Sequence, residues 1–171
     1  MNQEKTAEEI INMLKLQEDI LEFTHFTNKD AFALGRFMVE EAEKNDLHLA
    51  ISIRRIDGTI IFQSLMDGTG QENIAWMERK FNTVRYMEMS TLKLFVELGE
   101  SGETASDKFM DEMTFAISGG GFPIRLEEAG LYGAVIVSGA HHVQDHDFIV
   151  RCLSKYLHMD EVPRIRMSDF K

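Results

Sequence analysis

The sequence predicts an α+β domain: a central antiparallel sheet with helices packed on its faces. Three observations carry that reading. Two alternating apolar runs flank Asp57-Gly58, and an Asp-Gly pair in that setting is the strongest short-range hairpin signal because both turn positions favour positive φ. A second pair of apolar runs, Phe122–Leu126 and Leu131–Ser138, is broken at Glu127–Gly130. Segments of helical period stand before, between and after the hairpins, giving the order α-β-α-ββ-α(α)-ββ-α.

Thr6 and Glu9 have the capping-box spacing. They open a first helix with Ile10, Ile11 and Leu14 on one side, ending near Gln17. Ile20–Phe26 reads as a short strand or extended arm. Thr27 caps a second helix, with Asp30 three residues on and Ala31, Leu34, Met38 and Ala42 as its apolar stripe. Leu47–Ile53 alternates, placing Leu47, Leu49, Ile51 and Ile53 on one strand face, and Thr59–Gln63 returns as the partner strand.

From Gln71 the period turns helical through Ile74, Met77, Phe81 and Val84, and the segment either continues or restarts at Ser90 through Leu94, Phe95 and Leu98. Gly99–Gly102 breaks it. A further helix is expected over Asp107–Ile117, stacking Phe109, Met113 and Ala116 and stopping at Gly119-Gly120-Gly121. Ala134–Val137 is apolar on both faces, as a central strand covered twice would be. A last helix near Asp145–Leu157 carries Phe148, Ile149, Cys152, Leu153, Tyr156 and Leu157, followed by a polar tail from Val162.

The length of 171 residues favours one domain over 1–171, with a core of about 20–160, an N-terminal helix in 1–19 and the tail in 160–171. A net charge of −11, from 18 Lys+Arg against 29 Asp+Glu, opposes nucleic acid and anionic membrane surfaces, which are bound by clustered basic residues. One cysteine supplies neither an intramolecular disulfide nor a thiolate cluster. No apolar run reaches membrane-span length, and the acidic, polar N-terminus is unlike a secretion signal, so a soluble cytoplasmic protein is expected.

Candidate chemistry gathers at three places. Ser118-Gly119-Gly120-Gly121-Phe122-Pro123 lets the backbone approach a ligand or form an anion-cradling nest, with Arg125 beyond. It lacks the Lys-Ser/Thr and the strand-to-helix order of a phosphate loop, and its competing reading is a helix cap with a tight turn. His142 and His146 are four apart with Asp145 between them, but zinc needs a third ligand, so no metal is expected. The competing reading is that Asp145 stabilises a helix N-terminus beside partly exposed histidines. Arg79 and Lys80 lie off the Ile74/Met77/Phe81 stripe, where they project into a groove or form a solvated face. Cys152 reads as a packed hydrophobe, and no catalytic triad or carboxylate pair is readable.

Gly119–Ile124, Gly133–Gly139 and Asp145-His146, taken in order with Phe26-Thr27-Asn28, Ala31-x-x-Leu34-Gly35 and Trp76-x-x-Arg79-Lys80, resemble the GlcG/HbpS-like "haem-degrading domain" family, in its cytosolic branch of bacteria and fungi. The resemblance covers about residues 20–160. It implies a profilin-like α/β sandwich and dimers that assemble further into rings or larger oligomers. It brings haem into view as a cofactor, with His25, His48, His141, His142, His146 and His158 as equal candidates for an axial ligand.

The positions matching the family pattern are Trp76, Arg79, Lys80, Gly119, Gly120, Pro123, Ser138, Gly139, Asp145 and His146. Joined with Gly121, they make a candidate rim for a small acidic ligand or a subunit contact. The expected function is a homo-oligomeric binding protein. The alternative is a non-enzymatic adaptor or scaffold, and enzymatic chemistry ranks last.

Overall fold

Side-chain caps set the first two helices. In a computed structural model, which describes residues 4–170, α1 (Ala7–Ile20) starts where Thr6 Oγ1 accepts the Glu9 N–H at 3.2 Å and the Glu9 carboxylate accepts the Thr6 N–H at 2.7 Å. Thr27 and Asp30 repeat the device at the start of α2 (Asn28–Lys44). The first helix runs one turn past the expected end at Gln17. An extended arm then leads to α2, and its single bridge pairs Phe23 with Leu126.

The strands are β1 (Ala50–Arg55), β2 (Ile60–Leu65), β3 (Gly121–Leu126) and β4 (Gly130–Ser138), all antiparallel in the order β2-β1-β4-β3. Period-two alternation sends Leu49, Ile51, Ile53, Val135 and Val137 to one face. There they pack on Ala31, Leu34 and Met38 of α2, and on Phe148, Ile149 and Leu153 of α5 (His142–Tyr156). The opposite positions Ala50, Ala134 and Ile136 meet Met77, Phe81 and Val84 of α3 (Gln71–Met87). Central β4 is covered on both faces, as its unbroken apolar run requires. The result is a profilin-like sandwich with a central antiparallel sheet and helices on its faces.

The segment after Gln71 is two helices, not one. Glu88 takes φ +54, and Ser90 accepts the Lys93 N–H at 3.3 Å to start α4 (Thr91–Ser101). The helix expected over Asp107–Ile117 does not form. Asp107 folds back to accept the Thr104 N–H, Phe109 sits at φ +59, and Asp111 accepts the N–H groups of Met113 and Thr114. Short polar side chains competing for local backbone donors win over an apolar spacing that has no face to bury. Phe109 and Met113 are each 89% exposed, and the three glycines therefore cap no helix.

The C-terminal segment lies against the fold. Ile165 is buried with Ile10, Leu14, Leu92 and Val96, Gln17 donates to the Pro163 carbonyl at 2.7 Å, and Lys5 pairs with Asp169. No helix among the described residues is long and apolar enough to cross a membrane.

Candidate functional site

Helical geometry separates Arg79 from Lys80. Met77, Phe81 and Val84 hold α3 on the sheet, and adjacent residues on a helix point about 100° apart. Lys80 therefore turns under the glycine turn, while Arg79 turns outward beside Trp76.

The Lys80 side chain is 3% exposed and Asp145 is 2% exposed, and Nζ lies 3.2 Å from Asp145 Oδ2. Nζ also donates to the Val137 carbonyl at 2.9 Å. Burial lowers the pKa of Lys80, opposed by the charge and hydrogen bond of Asp145, with Arg79 lowering it further. Burial raises that of Asp145, opposed by Lys80 and by the Ala140 N–H that Oδ1 accepts at 2.9 Å. This cation is already satisfied inside the protein. Gly120, at φ +116, closes the pocket: a Cβ there would lie 2.5 Å from the Val137 oxygen and 2.6 Å from Nζ.

Arg79 faces a different space. Its guanidinium lies 4.2 Å over the Trp76 ring and donates to the Glu112 carbonyl at 3.2 Å. Among the described residues no carboxylate comes within ion-pair distance of it. It borders a groove of about 430 Å³ that also takes in Phe95, Phe115, Ser118 and His142. Phe95 of α4 meets His142 edge-on, centroids 4.8 Å apart. A stacked guanidinium with unused donors beside aromatic walls is suited to a planar or carboxylate-bearing ligand.

Helix α5 begins at His142, earlier than the expected Asp145, with His141 as its cap. His142 Nδ1 accepts the Gly119 N–H at 3.0 Å. Burial, then electrostatic repulsion from the neighbouring His141 and Lys80, brings its pKa down to about 4. His146 is fully buried, its Nε2 2.7 Å from Gln17 Oε1 and its Nδ1 without a partner among the described residues, and burial brings its pKa down to about 3.

Of the residues named from sequence, the fold brings Lys80, Gly119, Gly120 and Asp145 together. Arg79 lies around the helix from them, and His146 points to α1. Gly121 donates to Thr91 Oγ1 at 3.0 Å, and Pro123 is buried within β3 opposite Ala134. Ser138 accepts from Asn73 Nδ2 at 3.2 Å, and Gly139 packs on the His48 carbonyl. Phe95 and Phe115 escape sequence reasoning because only the tertiary fold brings them to α3. The Trp76–Arg79 pair carries a local signal, since residues three apart on a helix touch.

The layering and strand order define the class of profilin-like α+β domains. The family described as haem degrading protein HbpS-like matches residues 26–154, and the chain belongs to that family. A UPF0303 protein of Brucella ovis is 37% identical over 163 residues, covering 95% of this chain and 96% of that one. The crystal structure of the Ybr137w protein superposes with a TM-score of 0.81 at 25% identity, covering 86% of this chain and 87% of that one. The crystal structure of a PduOC:heme complex superposes with a TM-score of 0.63 at 19% identity, covering 82% and 99%, a likeness of fold.

Haem iron needs an accessible protein lone pair, usually imidazole, thiolate or thioether, and a ligating histidine donates its other N–H to an acceptor. His142 has the reverse arrangement: its Nδ1 accepts from Gly119, which leaves the proton on Nε2. His146 is sealed in the core, and burial pushes the Cys152 thiol up to about 12. The groove therefore does not fit a haem held through its iron. Among the described residues no three His, Cys, Asp or Glu side chains cluster for a metal.

Proposed function

We propose that this protein is a cytosolic homo-oligomer that binds a small acidic ligand, with Arg79 as the anion-accepting residue. The observation that carries the reading is the Arg79 guanidinium, stacked on Trp76, unpaired with any described carboxylate, and open to a groove with aromatic walls. Lys80 and the glycine turn support it from behind: the Lys80–Asp145 pair fixes the helix that presents Arg79. Haem, named in the family's description and in the complex of one fold neighbour, enters this reading as an acidic planar molecule rather than as an iron-ligated cofactor.

Trp76 is the chain's single tryptophan, so its fluorescence reports the groove directly. Titration with benzoate, and separately with haemin, is expected to give saturable quenching that Arg79→Gln weakens at least tenfold. Quenching equal in wild type and Arg79→Gln overturns the assignment.

Self-association is supported by β2. It is an edge strand whose run Thr59–Met66 holds no charged residue in a chain of net charge −11, and it leaves Ile60 48% and Leu65 38% exposed. Unpaired, uncharged strand edges invite pairing with another copy. Light scattering after size exclusion should give a multiple of the chain mass that Ile60→Lys reduces. A monomer at all concentrations overturns this part. A second reading, an adaptor acting through protein contacts, is favoured by the display of Phe109 and Met113. Its test is loss of partner capture in a Phe109→Ser/Met113→Ser variant that retains benzoate binding.

A further inference from the structure

The Arg79 groove abuts a second and larger one. Between α1, α4 and the C-terminal turn lies a space of about 590 Å³ walled by Ile10, Val96, Leu98, Gly99 and Phe170 among others. Phe95, Ala105 and Ile117 belong to the walls of both grooves. The two spaces differ in chemistry. One offers the Arg79 guanidinium, which no carboxylate pairs among the described residues, with Glu112 as the one acidic residue on the same wall. The other is apolar, and the charged groups at its edge are predominantly acidic: Glu103 paired with Lys108, Asp169 paired with Lys5, and Glu100 with no cation within ion-pair distance among the described residues.

We infer that the ligand is an amphipathic monocarboxylate, its head on Arg79 and its alkyl chain laid past Phe95 and Ile117 into the groove at Leu98 and Gly99. This ligand class rests on the reading of Arg79 as the anion-accepting residue. Charge complementarity sets the direction of binding. The carboxylate is drawn to Arg79 and repelled from the end that holds Glu100, so a chain with one acidic end fits and a chain with two does not. Gly99 keeps the apolar end open: among the described residues a Cβ built there meets no atom within 4 Å, which leaves room over the helix at that point for a methylene chain. Apolar walls with one polar anchor are the usual composition of a site that buries most of a small ligand.

Calorimetric titration with hexanoate, octanoate, decanoate and dodecanoate, each below micelle-forming concentration, tests this. Each buried methylene is expected to tighten binding about fourfold, so affinity should climb along the series. Arg79→Gln should weaken every member alike. Gly99→Phe, which fills the apolar end without crowding at Cβ, should abolish the gain with chain length. Glu72→Ala, on an exposed position of α3 that lines neither groove, is the control that keeps the slope. Dodecanedioate and dodecylamine should each bind at least tenfold more weakly than dodecanoate.

Equal affinities from hexanoate to dodecanoate, still weakened by Arg79→Gln, overturn the amphipathic class and leave the acid site standing. A chain-length gain indifferent to Arg79→Gln, or dodecylamine binding as tightly as dodecanoate, overturns the acid site as well. No heat with any member at either of two temperatures about 20 °C apart overturns the inference, since burial of the chain carries a heat-capacity change that keeps the heat from vanishing at both, and benzoate quenching of Trp76 then decides separately whether the acid site survives.

Discussion

Replacing Lys80 with Met removes one half of an ion pair with side-chain exposures of 3% and 2%. It strips the Asp145 carboxylate of its nearest cation, at 3.2 Å, and frees the Val137 carbonyl that accepted from Nζ at 2.9 Å. Breaking one side of a buried pair typically costs about 3–5 kcal/mol, because the surviving charge is left uncompensated. Asp145 keeps the Ala140 N–H at 2.9 Å and can take up a proton, so the lower end, about 3 kcal/mol, is expected. At a urea slope of about 2 kcal/mol/M this moves the midpoint down by about 1.5 M. Lys80→Met/Asp145→Asn should recover at least ~1 kcal/mol of the loss, since Asn still accepts from Ala140 and carries no charge. The sign of the pH dependence follows from the same pair. Without Lys80, burial holds the Asp145 pKa above its unfolded value, so folding takes up a proton and the deficit shrinks as pH falls through that range. Urea unfolding at fixed protein concentration, repeated between pH 8 and 5, measures all three quantities. A Lys80→Met midpoint within 0.5 kcal/mol of wild type (about 0.25 M at that slope) would refute the reasoning that Lys80 is a structural cation.

Gly120→Ala places a Cβ 2.5 Å from the Val137 oxygen at φ +116 and should cost about 2–4 kcal/mol by denaturant midpoint. Gly99→Ala, in a helix with open space around its Cβ, should stabilise by up to ~1 kcal/mol. His146, held neutral by burial with its pKa brought down to about 3, refuses a proton that the unfolded chain accepts below its ordinary value of 6.5. Its contribution is therefore fully present above 6.5 and is lost at ~1.4 kcal/mol per unit as pH drops toward 3, and His142, brought down to about 4, adds the same slope between 6.5 and 4; thermal melts read the sum, and a flat profile from pH 7 to 4 contradicts it. Cys152, buried with its thiol pushed up to about 12, should resist a thiol reagent at pH 8 until the protein is unfolded in urea.

Much of the scaffold is legible because it is written locally. The Thr6/Glu9 and Thr27/Asp30 caps, the Asp57-Gly58 turn and the alternation into Ile53 each depend on residues close in sequence. The loop at 104–115 misleads for a matching reason: Phe109 and Met113 have helical spacing, yet no surface waits to bury them, and Asp107 and Asp111 take the backbone donors instead. The site divides the same way. The Trp76–Arg79 stack is three residues apart and readable. The choice between Arg79 and Lys80 as the outward cation depends on Asp145, 65 residues further on. The roles of His142 and Phe95 depend on the packing of α4 against α5.

A crystal structure of the protein grown with octanoate tests the role of Arg79 most directly. Carboxylate density bonded to the Arg79 guanidinium beside Trp76 is expected, with Lys80 still paired to Asp145. Octanoate bound to Lys80 after opening of the Gly120 turn, or a fully occupied octanoate elsewhere with the Arg79 groove holding only solvent, would contradict it.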